Sequence, residues 1–221
     1  MKTKIFDVLP STNEYAETHD FLEDTAIIAR EQTGGKGTKG RSFSSLKGGV
    51  YLSLVRLMPC KAADSFSLMV ASCMAVVKTL ESYGVKAQIK WANDVFVNGK
   101  KICGILIKNV FEGDYVKKSI TGIGVNVNNE IPPELQPIAI NLKSLIGKVD
   151  TDEFSQKLIE NLYKHYSIDE YRSYNMVLGR RITVIDGEKT YAATAFDISP
   201  NGNLVLSDGR ILSHGEVTIR L

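Results

Sequence analysis

A short glycine-rich segment, residues 34–41, carries three basic side chains: Lys36, Lys39 and Arg41. Four of its other five positions are glycine. Glycine lets a backbone approach a ligand closely, and lysine and arginine attract phosphate and carboxylate groups. We therefore expect this segment to become ordered around an anion. A solvated hairpin loop is the alternative explanation.

The glycines in this segment also fit a dinucleotide-binding spacing, at Gly35, Gly37 and Gly40. That pattern requires a strand before it, a helix after it and an acidic residue about 20 positions further on. Here residues 42–45 (Ser-Phe-Ser-Ser) and then an apolar strand follow the glycines. The sequence therefore argues against a Rossmann nucleotide site.

A compact polar motif occupies residues 90–94, in the order Lys-Trp-Ala-Asn-Asp. It brings a ring, an amide and a carboxylate together at the start of a predicted hairpin. As a single residue Trp91 is more typical of a core, and Asn93 and Asp94 could simply begin a turn. Lys101 precedes an apolar strand, where its ammonium could enter a cavity or stay in solvent.

Three further features could contribute to the same site. Residues 11–13 (Ser-Thr-Asn) offer hydroxyls and an amide at a predicted helix start, with Ser11 as N-cap and Glu14 reaching back to complete a capping box. Gln32 is a neutral donor and acceptor just before the glycine-rich segment. Gly122 and Gly124 leave one strand face open to a flat ligand or a second backbone, although a bulge or tight packing would give the same pattern.

The predicted elements that position these residues alternate between helix and strand. We expect helices over 11–19 and 64–83 and from Thr151 onward, and strands over 25–30, 49–58 and 88–128, followed by 182–185, 190–196, 204–206 and 217–221. Within 88–128 the pair Asn98-Gly99 predicts a type I′ hairpin turn. The closely spaced strands after residue 175 suit a small barrel.

Composition narrows the class of protein. The chain has 221 residues, 43% apolar and 24% charged, with a net charge of +2. That charge does not favour DNA binding through bulk electrostatics. Three cysteines without a CxxC pair indicate neither a disulfide framework nor zinc. No leader segment is evident, and the apolar runs fall short of the ~18 residues of a membrane span, so we expect a cytoplasmic protein without membrane contact.

Together these stretches resemble the biotin protein ligases, also called biotin–acetyl-CoA-carboxylase ligases. The resemblance covers nearly the whole chain, and the order of its motifs is more specific than any one of them. The matching segments are residues 11–13, 32–41, 90–94, 99–106, 122–126 and 215–220. Only ten residues precede Ser11, which implies the short form without an N-terminal DNA-binding domain.

The resemblance implies an α/β (α+β) fold. A mixed sheet packed with helices would form a catalytic biotin- and ATP-binding domain over residues 1–175. An SH3-like β-barrel would form a second domain over residues 176–221.

The resemblance also implies the reaction. The carboxylate of biotin attacks the α-phosphate of ATP in the presence of Mg²⁺, and biotinyl-5′-AMP and pyrophosphate form. A lysine of a biotin carboxyl carrier protein or domain then takes the biotinyl group. No DNA partner is expected, and a homodimer is compatible with the family.

Site residues are carried over by motif. The residues assigned to biotin are Ser11, Thr12, Asn13, Gln32, Gly35, Lys36, Lys101, Gly104 and Gly122. Those assigned to the nucleotide are Lys36, Thr38, Lys39, Arg41, Phe43, Asn93, Asp94, Asn126 and Arg220. Lys101 and Lys36 would be catalytic, Asp94 would hold Mg²⁺ indirectly, and Glu216 would steady the basic loop.

Four positions depart from the family pattern. Lys36 replaces a frequent arginine, so the charge remains but the bidentate fork is lost. Thr38 replaces a frequently basic residue, which puts retention of biotinyl-AMP in question. Phe43 and Ala92 stand where tryptophan and proline are frequent.

Two other functions are considered. Lipoate-attaching enzymes share a related fold and reaction, but their pattern of three glycines before a histidine is missing from this sequence. The second alternative function is a module that senses biotin or a nucleotide without catalysing a reaction.

Overall fold

The computed structural model describes residues 1–213 and 218–220, and two β-sheets dominate that part of the chain. The strands of the larger sheet are β1 (Lys2–Leu9), β2 (Thr25–Gln32), β3 (Val50–Leu57), β4 (Gln88–Lys90), β5 (Asp94–Val97), β6 (Lys100–Glu112) and β7 (Tyr115–Val125). Those of the smaller sheet are β8 (Arg181–Asp186), β9 (Lys189–Ile198), β10 (Leu204–Leu206), β11 (Ile211–Leu212) and β12 (Thr218–Arg220). The α-helices are α1 (Thr12–Thr18), α2 (Ser67–Ser82), α3 (Lys143–Ile146), α4 (Thr151–Leu162) and α5 (Ile168–Ser173).

The larger sheet is mixed, as the sequence predicts. Its strand order is β1-β2-β3-β7-β6-β5-β4, and only β1 and β2 run parallel. Strand β1 was not predicted. Its residues alternate between exposed and half-buried, and lysines at positions 2 and 4 suit an unpaired sheet edge. An edge strand of this kind lacks the apolar run that marks a buried one.

Helix α2 lies at the centre of the core. Cys73, Met74, Val76 and Val77 have no exposed surface. The helix begins at Ser67, later than predicted, because residues 62–64 form a separate 3₁₀ turn.

Contrary to the sequence-based expectation, one segment is apolar and long enough to cross a membrane. By length and composition Ala62–Ser82 meets that requirement, but 67% of its most apolar window is buried inside the fold. Helix α2 accounts for most of this segment, and its apolar surface is satisfied by the protein core.

The two faces of the larger sheet serve different purposes. One face packs on α2 and α4 and forms the main core, which includes Leu52, Leu54 and Ile123. The opposite face carries α1 over a small cluster that includes Ala16 and Ile120. The open part of this second face is therefore available for a ligand.

The β5–β6 hairpin forms as predicted. Asn98 and Gly99 have φ values of 51° and 74°, the positive values that a type I′ turn requires at both central positions. The turn delivers Lys100 and Lys101 to the start of β6.

The smaller sheet has five antiparallel strands in the order β11-β10-β9-β8-β12. Within the described residues β11 and β12 do not pair, so the expected barrel is not closed. The segment between them, residues 214–217, lies outside the described residues, and with it the predicted role of Glu216. The domain boundary at residue 175 stays a prediction.

Polar contacts fix the smaller sheet to the rest of the chain. The indole Nε1 of Trp91 donates to the carbonyl oxygen of Gly202 at 2.9 Å, and Trp91 is buried. Arg172 in α5 donates through Nε to the carbonyl oxygen of Ile198 at 2.8 Å and pairs with Asp197 at 3.1 Å. The turn between β9 and β10 is thereby fixed against the motif at residues 90–94.

Gly202 offers a test of how tightly the turn between β9 and β10 packs against its neighbours. It has φ +84°, and a Cβ atom there would lie 2.1 Å from the ring of Phe66. Gly202→Ala therefore combines backbone strain with a clash, and we expect it to lower the free energy of unfolding by about 2–5 kcal/mol. Urea unfolding measures the loss.

Gly209→Ala is the matched control. Gly209 has nearly the same φ, +86°, but nothing lies within 4 Å of the place that a Cβ atom would take. It should cost about 1 kcal/mol from strain alone. Equal losses in the two variants would contradict tight packing at Gly202.

Candidate functional site

A pocket opens on the sheet face that carries α1, between the start of that helix, the glycine-rich segment and strands β3, β6 and β7. Most predicted site residues meet there. The lining residues are Ser11, Thr12, Asn13, Gln32, Lys36, Gly37, Thr38, Phe43, Tyr51, Leu52, Asn93, Asp94, Lys101, Gly104, Ile105, Leu106, Gly122, Ile123 and Gly124.

Gln32 organises the neutral end of the pocket. Its Oε1 accepts from the backbone N–H of Thr12 at 2.8 Å and from the Thr12 hydroxyl at 3.1 Å. Its Nε2 donates to the Oγ of Ser45 at 2.9 Å. Thr12 is buried, so these bonds hold the Gln32 amide in one orientation. Rather than facing solvent, Gln32 links α1 to Ser45, which follows the glycine-rich segment.

Ser53 is part of this network and was not predicted. It has no exposed surface, and its Oγ lies 2.7 Å from the Thr12 hydroxyl and 2.5 Å from Oδ1 of Asn13. Because a hydroxyl has one proton, Ser53 donates to one of these oxygens at a time. A polar residue inside the apolar run of β3 was the available sequence signal.

The glycines form the floor of the pocket. A Cβ atom on Gly122 would lie 2.3 Å from Oδ1 of Asn13, and one on Gly124 would lie 2.6 Å from the ring of Phe43. A Cβ atom on Gly104 would lie 3.1 Å from the Nζ of Lys101. Side chains from other elements therefore use the space that these glycines leave.

The other end of the pocket is charged. Lys101 Nζ lies 2.7 Å from Asp94 Oδ1 and 5.9 Å from the centre of the Phe43 ring. The two charged side chains keep 32% and 25% of their surface exposed. Asn93 next to them is fixed by β6, since its Nδ2 donates to the carbonyl oxygen of Ile105 at 2.8 Å.

Lys36 reaches the pocket from the glycine-rich segment. Its Nζ lies 3.3 Å from Oε2 of Glu14, and both side chains are half exposed, which makes this pair weak. Ser11 caps α1 as predicted, because its Oγ accepts from the backbone N–H of Glu14 at 3.4 Å. The carboxylate of Glu14, however, pairs with Lys36 rather than completing the predicted capping box.

Lys90 is a second residue that sequence reasoning did not assign. It stands directly opposite Asp94 in the β4–β5 ladder. Burial lowers the pKa of Lys90 below its ordinary value, and the Asp94 carboxylate opposes that shift. The nearby charges of Lys101, Arg220 and Arg41 lower the pKa further. Lys101 contacts Asp94 and Lys90 lies opposite it, whereas Arg41 and Arg220 act on the charge of Lys90 and do not line the pocket.

Other predicted residues lie behind the pocket or outside the description. Gly35 is buried against Ser45 and the carbonyl oxygen of Phe43. Asn126 is buried, and its Oδ1 accepts from Nδ2 of Asn129 at 3.1 Å. The side chain of Lys39 lies outside the described part.

Metal ligands are sparse in the described residues. They contain no group of three or more histidine, cysteine, aspartate or glutamate residues that could hold a metal ion. Asp94 is the single carboxylate among the pocket residues, and one of its oxygens faces Lys101. This arrangement fits Mg²⁺, which keeps several waters and uses one or two carboxylates together with substrate phosphates.

The pocket thus combines two environments. Neutral donors and acceptors of Thr12, Ser53 and Gln32 occupy one end, and the cation Lys101 occupies the other. A ligand with an uncharged polar head and an anionic tail satisfies both.

Comparison with known proteins agrees with this geometry. Residues 5–127 match the model of the biotin/lipoate A/B protein ligase family. The bifunctional ligase/repressor BirA of Bacillus subtilis is 32% identical over 219 residues, which cover 90% of this chain and 67% of that protein. The biotin–[acetyl-CoA-carboxylase] ligase of Mycobacterium tuberculosis is 26% identical over 216 residues, covering 89% and 79%.

The fold has a close match as well. The biotin protein ligase of Aquifex aeolicus, solved in complex with biotin and ATP, superimposes with a TM-score of 0.85 at 26% identity, and the match covers 99% of this chain and 98% of that one. From the family match and the Bacillus relative together, this chain belongs to the biotin/lipoate A/B protein ligase family.

Proposed function

We propose that this protein is an ATP-dependent biotin protein ligase. It joins biotin to ATP as biotinyl-5′-AMP and transfers the biotinyl group to a lysine of a biotin carboxyl carrier protein or domain. The observation that carries the proposal is the polarity of the pocket, neutral at the Gln32 end and cationic at Lys101. Biotin has the same polarity, with an uncharged ureido bicycle and an acidic tail.

The ureido head of biotin would lie at the neutral end. Thr12 and Ser11 offer hydroxyls there, and Gln32 and Asn13 offer amides. Each hydrogen bond contributes about 0.5–1.5 kcal/mol net, and losing one partner of a buried pair costs more. The existing bonds among Thr12, Gln32 and Ser53 restrict these groups before the ligand arrives. Gly122 leaves the room in which the Asn13 amide lies at this end.

Lys101 would lie where the two substrates react. An oxygen of the biotin carboxylate attacks the α-phosphorus, the bond to the leaving pyrophosphate breaks, and negative charge grows on the phosphate oxygens. Lys101 is positioned to stabilise that charge from β6, and Lys36 approaches from the loop. Both lysines would exchange their present carboxylate partners, Asp94 and Glu14, for substrate oxygens.

The nucleotide would extend from Lys101 toward the outer cations. Phe43 offers a ring face beside Gly124 for the adenine, and Asn93 offers an amide. Arg41 and Arg220, which act on the charge of Lys90, would contribute positive charge for the triphosphate together with Lys90. Asp94 would hold Mg²⁺, which supplies charge neutralisation of the phosphates when bound.

The glycine-rich segment would close over the reactants. Exclusion of water protects the mixed anhydride from hydrolysis. In the second half-reaction the carrier amine attacks the anhydride carbonyl, the bond to AMP breaks and the amine loses a proton. Thr38 and Lys39 belong to this segment, and the missing charge at Thr38 favours earlier loss of biotinyl-AMP.

The wider assignments follow from the same proposal. The macromolecular partner is a biotin carboxyl carrier protein or domain, without a DNA or membrane partner. The protein works in the cytoplasm, and residues 1–175 and 176–221 form its two domains. A homodimer is compatible with this arrangement.

Pyrophosphate exchange into ATP by the purified protein tests the function directly. We expect exchange that depends on biotin. Exchange with lipoate or octanoate but not with biotin would assign the chain to the lipoate-attaching enzymes. Absence of exchange with every acid, together with measurable biotin binding, would favour a sensing module.

Lys101→Ala should slow biotinyl-AMP formation by about 10²-fold or more, because a fixed positive charge is lost where charge develops. Single-turnover formation of biotinyl-AMP measures the effect. Lys100→Ala is the matched control, since the adjacent Lys100 donates to the carbonyl oxygen of Gln136 and is directed away from Asp94. A rate near that of the unmodified protein in Lys101→Ala would remove Lys101 from the mechanism.

Arg220→Ala should raise the KM for ATP several-fold more than the KM for biotin, because Arg220 acts at the cationic end of the site. Steady-state exchange kinetics give both constants. Arg210→Ala is the control, as Arg210 lies in the turn between β10 and β11 and pairs with Asp208 at 2.6 Å. Unchanged ATP kinetics in Arg220→Ala would leave the smaller sheet as a docking surface only.

A further inference from the structure

An ion pair joins helix α1 to the glycine-rich segment at the edge of the pocket. Glu14 lies in the first turn of α1, directly after the pocket residues 11–13. Its Oε2 lies 3.3 Å from Nζ of Lys36, a residue of the glycine-rich segment that lines the pocket. Glu14 is therefore paired with one of the cations that a ligand would meet.

The glycine-rich segment keeps its shape through main-chain hydrogen bonds. The backbone N–H of Phe43 donates to the carbonyl oxygen of Gly35 at 2.9 Å. At the start of the segment, the backbone N–H of Gly34 donates to the carbonyl oxygen of Pro10 at 2.8 Å. Because these bonds join backbone atoms, the ammonium of Lys36 can change partners while the segment stays folded.

The ion pair between Glu14 and Lys36 is open to competition. Both side chains are half exposed, and exposed pairs contribute little because water and salt screen their charges. A second carboxylate at Lys36 can therefore displace Glu14, whose own carboxylate is already in contact with solvent. In a buried pair the displaced charge would be left without water or a partner, at a large cost.

We propose that Glu14 is a positioning residue that competes with the carboxylate of the substrate for Lys36. This role rests on the proposed function, in which biotin supplies the carboxylate. Before biotin binds, Glu14 holds the ammonium of Lys36 at the edge of the pocket. Biotin then takes the place of Glu14, so the free energy gained at Lys36 is reduced by the ion pair that is lost.

Competition of this kind lowers the affinity for acids only. An uncharged ligand does not need Lys36, so its affinity does not change when the charge of Glu14 is removed. The repulsion between the carboxylates of Glu14 and biotin, which are brought together at one ammonium, acts against acids as well. A biotin analogue without the acidic tail therefore separates competition at Lys36 from a general change in the pocket.

Glu14→Gln removes the charge with little change of shape, and glutamate and glutamine both suit this third position of a helix. The Kd values for biotin and for biotin amide, in which an uncharged carboxamide replaces the carboxylate, are measured by calorimetry on the full chain. We expect the Glu14→Gln variant to bind biotin about twofold to fivefold more tightly, which is the range of an exposed ion pair. Its affinity for biotin amide should be unchanged.

Two further variants identify the source of the effect. Glu17→Gln is the matched control on the same helix, since Glu17 pairs with Lys108 at 2.6 Å, and it should leave both affinities unchanged. In a Lys36→Gln background, Glu14→Gln should no longer tighten the binding of biotin, because the cation for which the two carboxylates compete is missing. An effect of Glu14 on the structure of α1 alone would persist in that background.

Equal affinities of the Glu14→Gln variant and the unmodified protein for biotin would overturn the role of Glu14 and leave the proposed function intact. An equal gain with biotin and biotin amide, or a gain that persists without Lys36, would overturn it in the same way. A protein that binds neither ligand would contradict the proposed function itself, and with it the role of Glu14.

Discussion

The side chain of Asn13 lies directly against the backbone of Gly122, and the geometry of the pocket depends on that contact. Any larger residue at position 122 would place a carbon 2.3 Å from Oδ1 of Asn13. The close approach seats the start of α1 on the sheet, which brings Thr12 to Gln32 and Ser53. Because these polar groups are buried, each would be costly to leave without a partner. The neutral end of the pocket is therefore rigid, because its polar side chains hydrogen-bond to one another.

The cationic end works differently. Lys101 and Asp94 are close at 2.7 Å, but both keep contact with solvent, and such pairs contribute little to stability. An ion pair of this kind is inexpensive to separate when a phosphate arrives. Lys90 lies opposite Asp94, and its positive charge together with that of Lys101 favours an added anion beside the single carboxylate. One end of the pocket is thus fixed before binding, and the other is able to change partners.

Much of the fold could be predicted from the sequence because its strongest signals are local. The Asn98-Gly99 turn, the apolar period of α2 and the order of the motifs each depend on neighbouring residues. Strand β1 was missed because its stability comes from pairing with β2 and not from its own pattern. Ser53 was missed for a similar reason, because its environment is set by residues 12 and 13, which only the tertiary structure brings near. Lys90 belongs to the predicted motif, but the burial that lowers its pKa arises only in the folded protein.

The pleat of β6 selects between two chemically identical side chains. Lys100 and Lys101 are adjacent, so they leave the strand in opposite directions. One donates to the carbonyl oxygen of Gln136, and the other faces Asp94. The turn length at Asn98-Gly99 decides which lysine takes which place, since a slip of one residue would exchange them. A one-residue insertion in that turn would keep both lysines in the sequence but would direct Lys100 instead of Lys101 toward Asp94.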